Sequence, residues 1–147
     1  VLHAAAICVP IDPGLPTDDR EALLDDAGVR VLLLPASPAP VDHDSQAGRL
    51  ILRLELATGQ VSNASGSCGP VVPARVDLSG ALYLMYTSGS TGRPKAVVGT
   101  EQGTLNRIQW AELAHPWCGE EVVLRRTPLS FVDSVAEVWG TLLGGQR

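Results

Sequence analysis

An apolar run, Ala81-Leu82-Tyr83-Leu84-Met85-Tyr86, passes directly into Thr87-Ser88-Gly89-Ser90-Thr91-Gly92-Arg93-Pro94-Lys95. Both tyrosines, the only methionine and the only lysine of the chain lie between positions 83 and 95. The run predicts a buried strand, and the residues after it break regular structure. Glycines let backbone N–H groups approach an anion closely, hydroxyls donate further hydrogen bonds, and the Lys95 ammonium adds a point charge. A nucleotide polyphosphate is the guest this chemistry suits. Thr87, Ser88, Gly89, Ser90, Thr91, Gly92 and Lys95 are its candidate ligands. A flexible Ser/Gly loop is the bland alternative, and the fixed order ending in Pro94-Lys95 argues against it.

Other phosphate and nucleophile motifs are excluded by spacing. A P-loop needs four residues between its first Gly and a Gly-Lys pair, but Arg93-Pro94 separates Gly92 from Lys95. No G-x-G-x-x-G occurs, and Gly89-Ser90-Thr91-Gly92 lacks the spacing of a nucleophile elbow.

The flanking sequence predicts alternating strands and helices. Ile7 to Ile11 reads as a short buried strand stopped by Asp12-Pro13-Gly14. Thr17 is a candidate N-cap with Asp18 and Asp19 behind it, and the helix runs to Gly28. Val29 to Leu34 reads as a strand covered on both faces, and Leu50 to Leu56 as a half-exposed one. Residues 35–48 and 58–75 are expected to be surface loops. Asn63-Ala64-Ser65 matches a glycosylation triplet of the kind that arises by chance. Ala96 to Val98 and Val122 to Leu124 are further expected strands. Thr100 is placed to cap a helix with Leu105, Ile108 and Leu113 on one side. Val132 to Leu143 is expected to be a helix with Val135, Val138, Trp139 and Leu142 at helical spacing. The pattern is α/β with a mostly parallel sheet flanked by helices.

Composition narrows the function. A net charge of −5 and one adjacent basic pair, Arg125-Arg126, argue against nucleic-acid binding. No apolar run is long enough to span a bilayer. Three cysteines (Cys8, Cys68 and Cys118) make a disulfide framework improbable and point to a reducing, cytoplasmic setting. His115 and Cys118 are spaced like metal ligands but have no second pair, so no metal site is expected. Asp25, Asp26, Glu120 and Glu121 read as solvated charges, and Trp110, Trp117 and Trp139 as packing residues. The chain lacks an initiator Met and ends in Gly144-Gly145-Gln146-Arg147, which reads as a piece of a larger domain truncated at both ends.

Tyr86 to Lys95 resembles the phosphate-loop signature of the adenylate-forming, acyl-activating enzymes, a superfamily that includes acyl-CoA synthetases, luciferases and peptide-synthetase adenylation domains. Val9-Pro10-Ile11-Asp12-Pro13 with Pro16 and Arg20 resembles a second motif of the peptide-synthetase branch. Leu129-Ser130-Phe131-Val132-Asp133-Ser134-Val135 with Glu137, Trp139, Gly140, Leu142 and Leu143 resembles a third. Together they cover nearly the whole chain, in the family's order. Two departures stand out. Ala96 occupies a usual Gly position, and Gly99-Thr100-Glu101-Gln102-Gly103 replaces a His-containing stretch, a variant similar to beta-alanine-activating enzymes.

The resemblance implies part of the large N-terminal subdomain of an AMP-binding (adenylation) domain. It implies ATP with Mg2+, activation of a carboxylic acid as acyl-adenylate, and transfer to the thiol of coenzyme A or of a carrier-protein phosphopantetheine. Thr87 to Lys95 would hold the leaving pyrophosphate, with Lys95 as catalytic residue. In family members for α-amino acids, an Asp directly after the Ser-Phe pair meets the substrate ammonium. Here Val132 fills that place and the carboxylate moves to Asp133, which resembles domains for β-amino acids. Phe131, Val132, Asp133 and Ala136 are the implied substrate-binding residues. A buried carboxylate opposite an ammonium is a tolerable way to desolvate both. The competing reading is that Asp133 caps the helix near Ser134. Alternatives are a coenzyme A ligase for a simple carboxylic acid, and a non-catalytic fragment or interaction module. The 147 residues alone are expected to be inactive, because their sheet would have uncovered edges.

Overall fold

A computed structural model describes residues 6–36, 49–63, 80–89, 92–119 and 121–146. The chain divides into two compact units, Pro16–Val71 and Val1–Leu15 with Val72–Arg147.

In the unit Pro16–Val71, helix α1 spans Thr17–Asp26. Its N-cap is Pro16 rather than Thr17, and no side chain caps it. Proline before the first turn presets φ and has no N–H to satisfy, and Asp18 and Asp19 lie where carboxylates suit the helix dipole. The other end closes as expected at Gly28. Its φ of +62° lets Gly28 N–H reach the Asp25 carbonyl and Val29 N–H reach the Leu24 carbonyl, the paired bonds of a Schellman cap. Leu24 is buried beneath that turn.

Strands β1 (Val31–Pro35) and β2 (Leu50–Leu54) pair in parallel, and β3 (Val61–Asn63) adds to β2 antiparallel. The expected loop at 58–75 therefore contains a strand. The polar turn after Leu54 is short enough to fold back as a hairpin, with Glu55 N–H donating to the Gln60 carbonyl. Residues 37–48 and 64–79, with the rest of both expected loops and the last two residues of the glycosylation triplet, lie outside the described residues. Val31 and Leu33 are half exposed, so β1 has one open face instead of two covered ones. Arg49 ties α1 to the start of β2 by donating to Glu21 at 2.5 Å and to Asp25.

In the other unit, β4 (Ala81–Thr87) and β5 (Lys95–Thr100) form an antiparallel hairpin with a bulge between Ala81 and Tyr83. On the far edge of β4, Cys8 makes a single parallel bridge, its N–H donating to the Leu82 carbonyl and its carbonyl accepting from Leu84 N–H. Ile7 to Ile11 is thus one exposed rung, because Pro10 and Pro13 lack the donors to extend it. The described strand pairs are mixed, one parallel and two antiparallel, because short turns can join only antiparallel neighbours.

Helix α2 (Glu101–Ala114) follows β5 without a gap, and Thr100 Oγ1 accepts from Gly103 N–H at 3.1 Å, the expected cap. Ile108 and Met85 are buried, whereas Leu113 and Trp110 are exposed. Trp110 stacks edge-on against His115 with ring centroids 6.5 Å apart. Val122 to Leu124 forms no strand, and Val122 and Leu124 are exposed. The last helical stretch is α3 (Asp133–Val135), a π-helical turn Ala136–Gly140 and α4 (Thr141–Leu143). The π turn adds a residue to the repeat. It rotates Leu142 and Leu143 outward, so both are exposed where uniform helical spacing placed Leu142 on the packed face. No helix among the described residues is long and apolar enough to cross a membrane.

The hairpin leaves no room at Gly99: a Cβ there would stand 1.9 Å from the Tyr83 ring. Gly99→Ala should destabilise the fold by about 1–3 kcal/mol through overpacking. Gly140→Ala meets nothing within 4 Å and should be neutral or stabilising by up to about 1 kcal/mol. Denaturant midpoints of the two variants check the contrast, and equal effects would contradict it.

Candidate functional site

Thr87 and Lys95 face each other on the last rung of the β4–β5 ladder, so residues 88–94 form the hairpin's connection. Thr87 Oγ1 donates to the Lys95 carbonyl at 3.4 Å, joining the two ends of the loop. Within it, Gly92 N–H donates to the Gly89 carbonyl at 3.0 Å. The two glycines serve this turn differently. Gly92 has φ +79°, which L side chains rarely adopt. A Cβ on Gly89 would lie 2.0 Å from the Arg93 carbonyl oxygen. Thr87, Ser88, Gly92, Arg93 and Lys95 are exposed and Gly89 is half-buried, while Ser90 and Thr91 lie outside the described residues. No acidic residue occurs between Asp77 and Glu101. Two exposed cations, the exposed Ser88 and a close-approach backbone fit a polyphosphate. Among the described residues no group of three or more His, Cys, Asp or Glu could hold a metal ion.

The second candidate segment is held from behind. Ser134, buried to 2% exposure, donates its hydroxyl to the Phe131 carbonyl at 2.7 Å and reaches the Leu129 carbonyl at 3.3 Å. Glu137, one turn further on, collects three donors: Thr127 Oγ1 at 2.6 Å, Thr127 N–H at 3.0 Å and Arg126 N–H at 3.1 Å. Together they fold residues 126–134 over the helix start and present Phe131, Val132 and Asp133 outward; all three are exposed, and Ala136 is half-buried behind them. Asp133 is the first residue of α3, with Val132 at the N-cap and no side-chain cap bond. Its Oδ1 accepts instead from the Arg107 guanidinium of α2 at 2.8 Å. The carboxylate is therefore an exposed, paired one rather than a buried one.

A family model described as AMP-binding enzyme matches residues 1–147. The chain belongs to the AMP-binding enzyme family. Among curated relatives it is 35% identical over 147 residues to the phosphinothricin tripeptide synthetase PhsB of Streptomyces viridochromogenes, spanning 99% of this chain and 12% of PhsB. Among solved structures, a malonyl-CoA ligase with methylmalonyl-CoA and AMP bound is similar with a TM-score of 0.79 at 23% identity, over 99% of this chain and 30% of that one. The nonribosomal peptide synthetase FmoA3 with α-methyl-L-serine-AMP bound is similar with a TM-score of 0.71 at 25% identity, over 95% and 15%. The likeness agrees with the α/β architecture of the N-terminal subdomain of adenylate-forming enzymes. The chain spans about an eighth of PhsB.

In this member of the family the two candidate segments fall in one compact unit, linked through α2. Arg107 was not among the residues singled out by sequence. It lies far from Asp133 in the chain, and a lone Arg on a helix carries no local signal. Glu137 and Ser134 were legible as motif positions, but their anchoring role needed the fold of residues 126–131.

The Thr127 hydroxyl, and after it the Thr127 N–H, hold the Glu137 carboxyl below its ordinary value of 4.5; partial desolvation opposes them, and Arg126 N–H and the Arg125 charge assist. A carboxyl depressed on folding stabilises the native state above its unfolded pKa, and loses that contribution as pH falls through the folded value. The wild-type unfolding midpoint should therefore drop more steeply than that of Glu137→Gln as pH is lowered from about 5 to about 3. Parallel pH profiles would contradict the anchoring role.

Proposed function

We propose that this chain is part of an adenylation domain which activates a small carboxylic acid with ATP, the acid being a β-amino acid such as beta-alanine. The observation that carries the proposal is the Thr87–Lys95 hairpin loop, in a chain of the AMP-binding enzyme family. A carboxylate oxygen of the acid attacks the α-phosphorus of ATP, the bond to the bridging oxygen breaks, and pyrophosphate leaves. A thiol sulfur then attacks the acyl carbon and releases AMP. The similarity to PhsB supports a carrier-protein phosphopantetheine as that thiol, with coenzyme A as the other acceptor. A reaction that consumes ATP and a reduced thiol suits the cytoplasm.

Each segment has a physical task in this reading. Charge accumulates on the leaving pyrophosphate, so donors fixed in advance by Gly89, Gly92 and the Thr87–Lys95 rung lower the barrier without reorganising. Lys95 adds the largest single charge there. Asp133 offers a carboxylate to the substrate ammonium, one position beyond the place that serves α-amino acids.

One observation favours a second reading. Asp133 already has a cation partner in Arg107, which suits a coenzyme A ligase for an acid without an amino group. A substrate panel separates the two, since such a ligase would turn over propionate better than beta-alanine.

In the intact protein, Lys95→Ala should slow ATP–pyrophosphate exchange by roughly two orders of magnitude, the cost of one lost transition-state contact, while changing the KM for the acid much less. Unchanged exchange would remove Lys95 from the mechanism. Asp133→Ala should raise the KM for beta-alanine by roughly tenfold or more, as expected for a lost charged hydrogen bond, and leave the KM for ATP in place. An unaltered KM for beta-alanine would remove Asp133 from substrate recognition.

A further inference from the structure

We propose that Arg107 is a positioning residue that fixes the Asp133 carboxylate and thereby sets how far from its carboxyl group a substrate may carry its amino group. The inference rests on the reading of Asp133 as partner of the substrate ammonium. It starts from an asymmetry at that side chain. Asp133 Oδ1 accepts from Arg107 at 2.8 Å, whereas its Oδ2 makes no hydrogen bond among the described residues. One oxygen is tied and the other is free to meet a cation.

The two partners come from separate elements that are themselves anchored. Arg107 lies midway along α2, next to buried Ile108 and downstream of the Thr100 cap. Asp133 opens α3 beside Ser134, which is clamped to the Phe131 and Leu129 carbonyls. The side chains remain 54% and 65% exposed, within reach of a small solute.

An ion pair this exposed contributes little to stability, so its effect is geometric. An untied Asp at a helix start swings about χ1 and χ2 and can follow an ammonium over several ångströms. With Oδ1 held by a guanidinium on a capped helix, Oδ2 occupies a narrow region, and the carboxylate is shared by two cations on opposite oxygens. A substrate whose amino group is one carbon too near or too far then meets a carboxylate that cannot follow it. Arg107 thus converts a general attraction for ammonium groups into a length filter.

The test compares Arg107→Met, Arg107→Lys, Asp133→Asn and the Arg107→Met/Asp133→Asn double variant in the intact protein. ATP–pyrophosphate exchange is measured with alanine, beta-alanine and 4-aminobutyrate, and thermal midpoints are measured alongside. Arg107→Met should raise the KM for beta-alanine roughly fivefold and lower its kcat/KM advantage over the shorter and longer amino acids by a similar factor, the scale of a tenuous charged contact. Arg107→Lys should recover part of the selectivity, and the double variant should resemble Asp133→Asn, because Arg107 acts only through that carboxylate. If Asp133→Asn changes selectivity but Arg107→Met does not, the positioning role is overturned while the reading of Asp133 stands. Additive effects in the double variant would also overturn it. So would a rise in the KM for ATP that matches the rise for beta-alanine. If Asp133→Asn itself leaves selectivity unchanged, the underlying substrate reading falls with the inference.

Discussion

The pairing of β4 with β5 is the constraint on which the rest of this unit depends. Its register puts Gly99 under the Tyr83 ring and brings Thr87 opposite Lys95. The first contact admits no side chain, so the ladder cannot slip without driving a larger residue into the ring. The second fixes the mouth of the loop. A connection closed by a ladder rung loses little further entropy when it orders around a guest. The loop's donors are therefore held by strand hydrogen bonds rather than by the ligand.

From the same ladder, order passes to α2. Thr100 closes the pairing opposite Ala81 and caps the helix that begins at Glu101, so strand and helix turn on one residue. Arg107 inherits its position from that junction. Asp133 is governed from the opposite side, where Ser134 and Glu137 fold the preceding segment down. The Asp133 carboxylate lies where these two independently anchored structures meet.

Much of this was legible from residues in order. The Gly28 turn, the Thr100 cap and the β4–β5 strands followed from local chemistry, because each depends on neighbours only a few positions apart. Errors arose where partners decide. Val122 to Leu124 has the composition of a strand but pairs with no strand among the described residues, and Ile7 to Ile11 obtained one rung because its prolines cannot donate. Val61–Asn63 looked like loop because its strand character comes from pairing with Leu52–Leu54. The π turn at Ala136–Gly140 is invisible to a 3.6-residue pattern, and it moved Leu142 off the face predicted for it. At the candidate site the Thr87–Lys95 loop was readable as a contiguous motif. The cation facing Asp133 was not, because it comes from another helix.

The bond between α2 and α3 bears on how such segments could be exchanged between proteins. A graft limited to the segment Phe131 to Leu143 would deliver a new side chain at position 133 opposite the old guanidinium, a mismatch introduced by the boundary rather than by the donor's chemistry. The hairpin, α2 and the final helical stretch form a natural cassette: cutting before Ala81 and after Leu143 keeps Arg107 with Asp133 and Lys95 with Thr87.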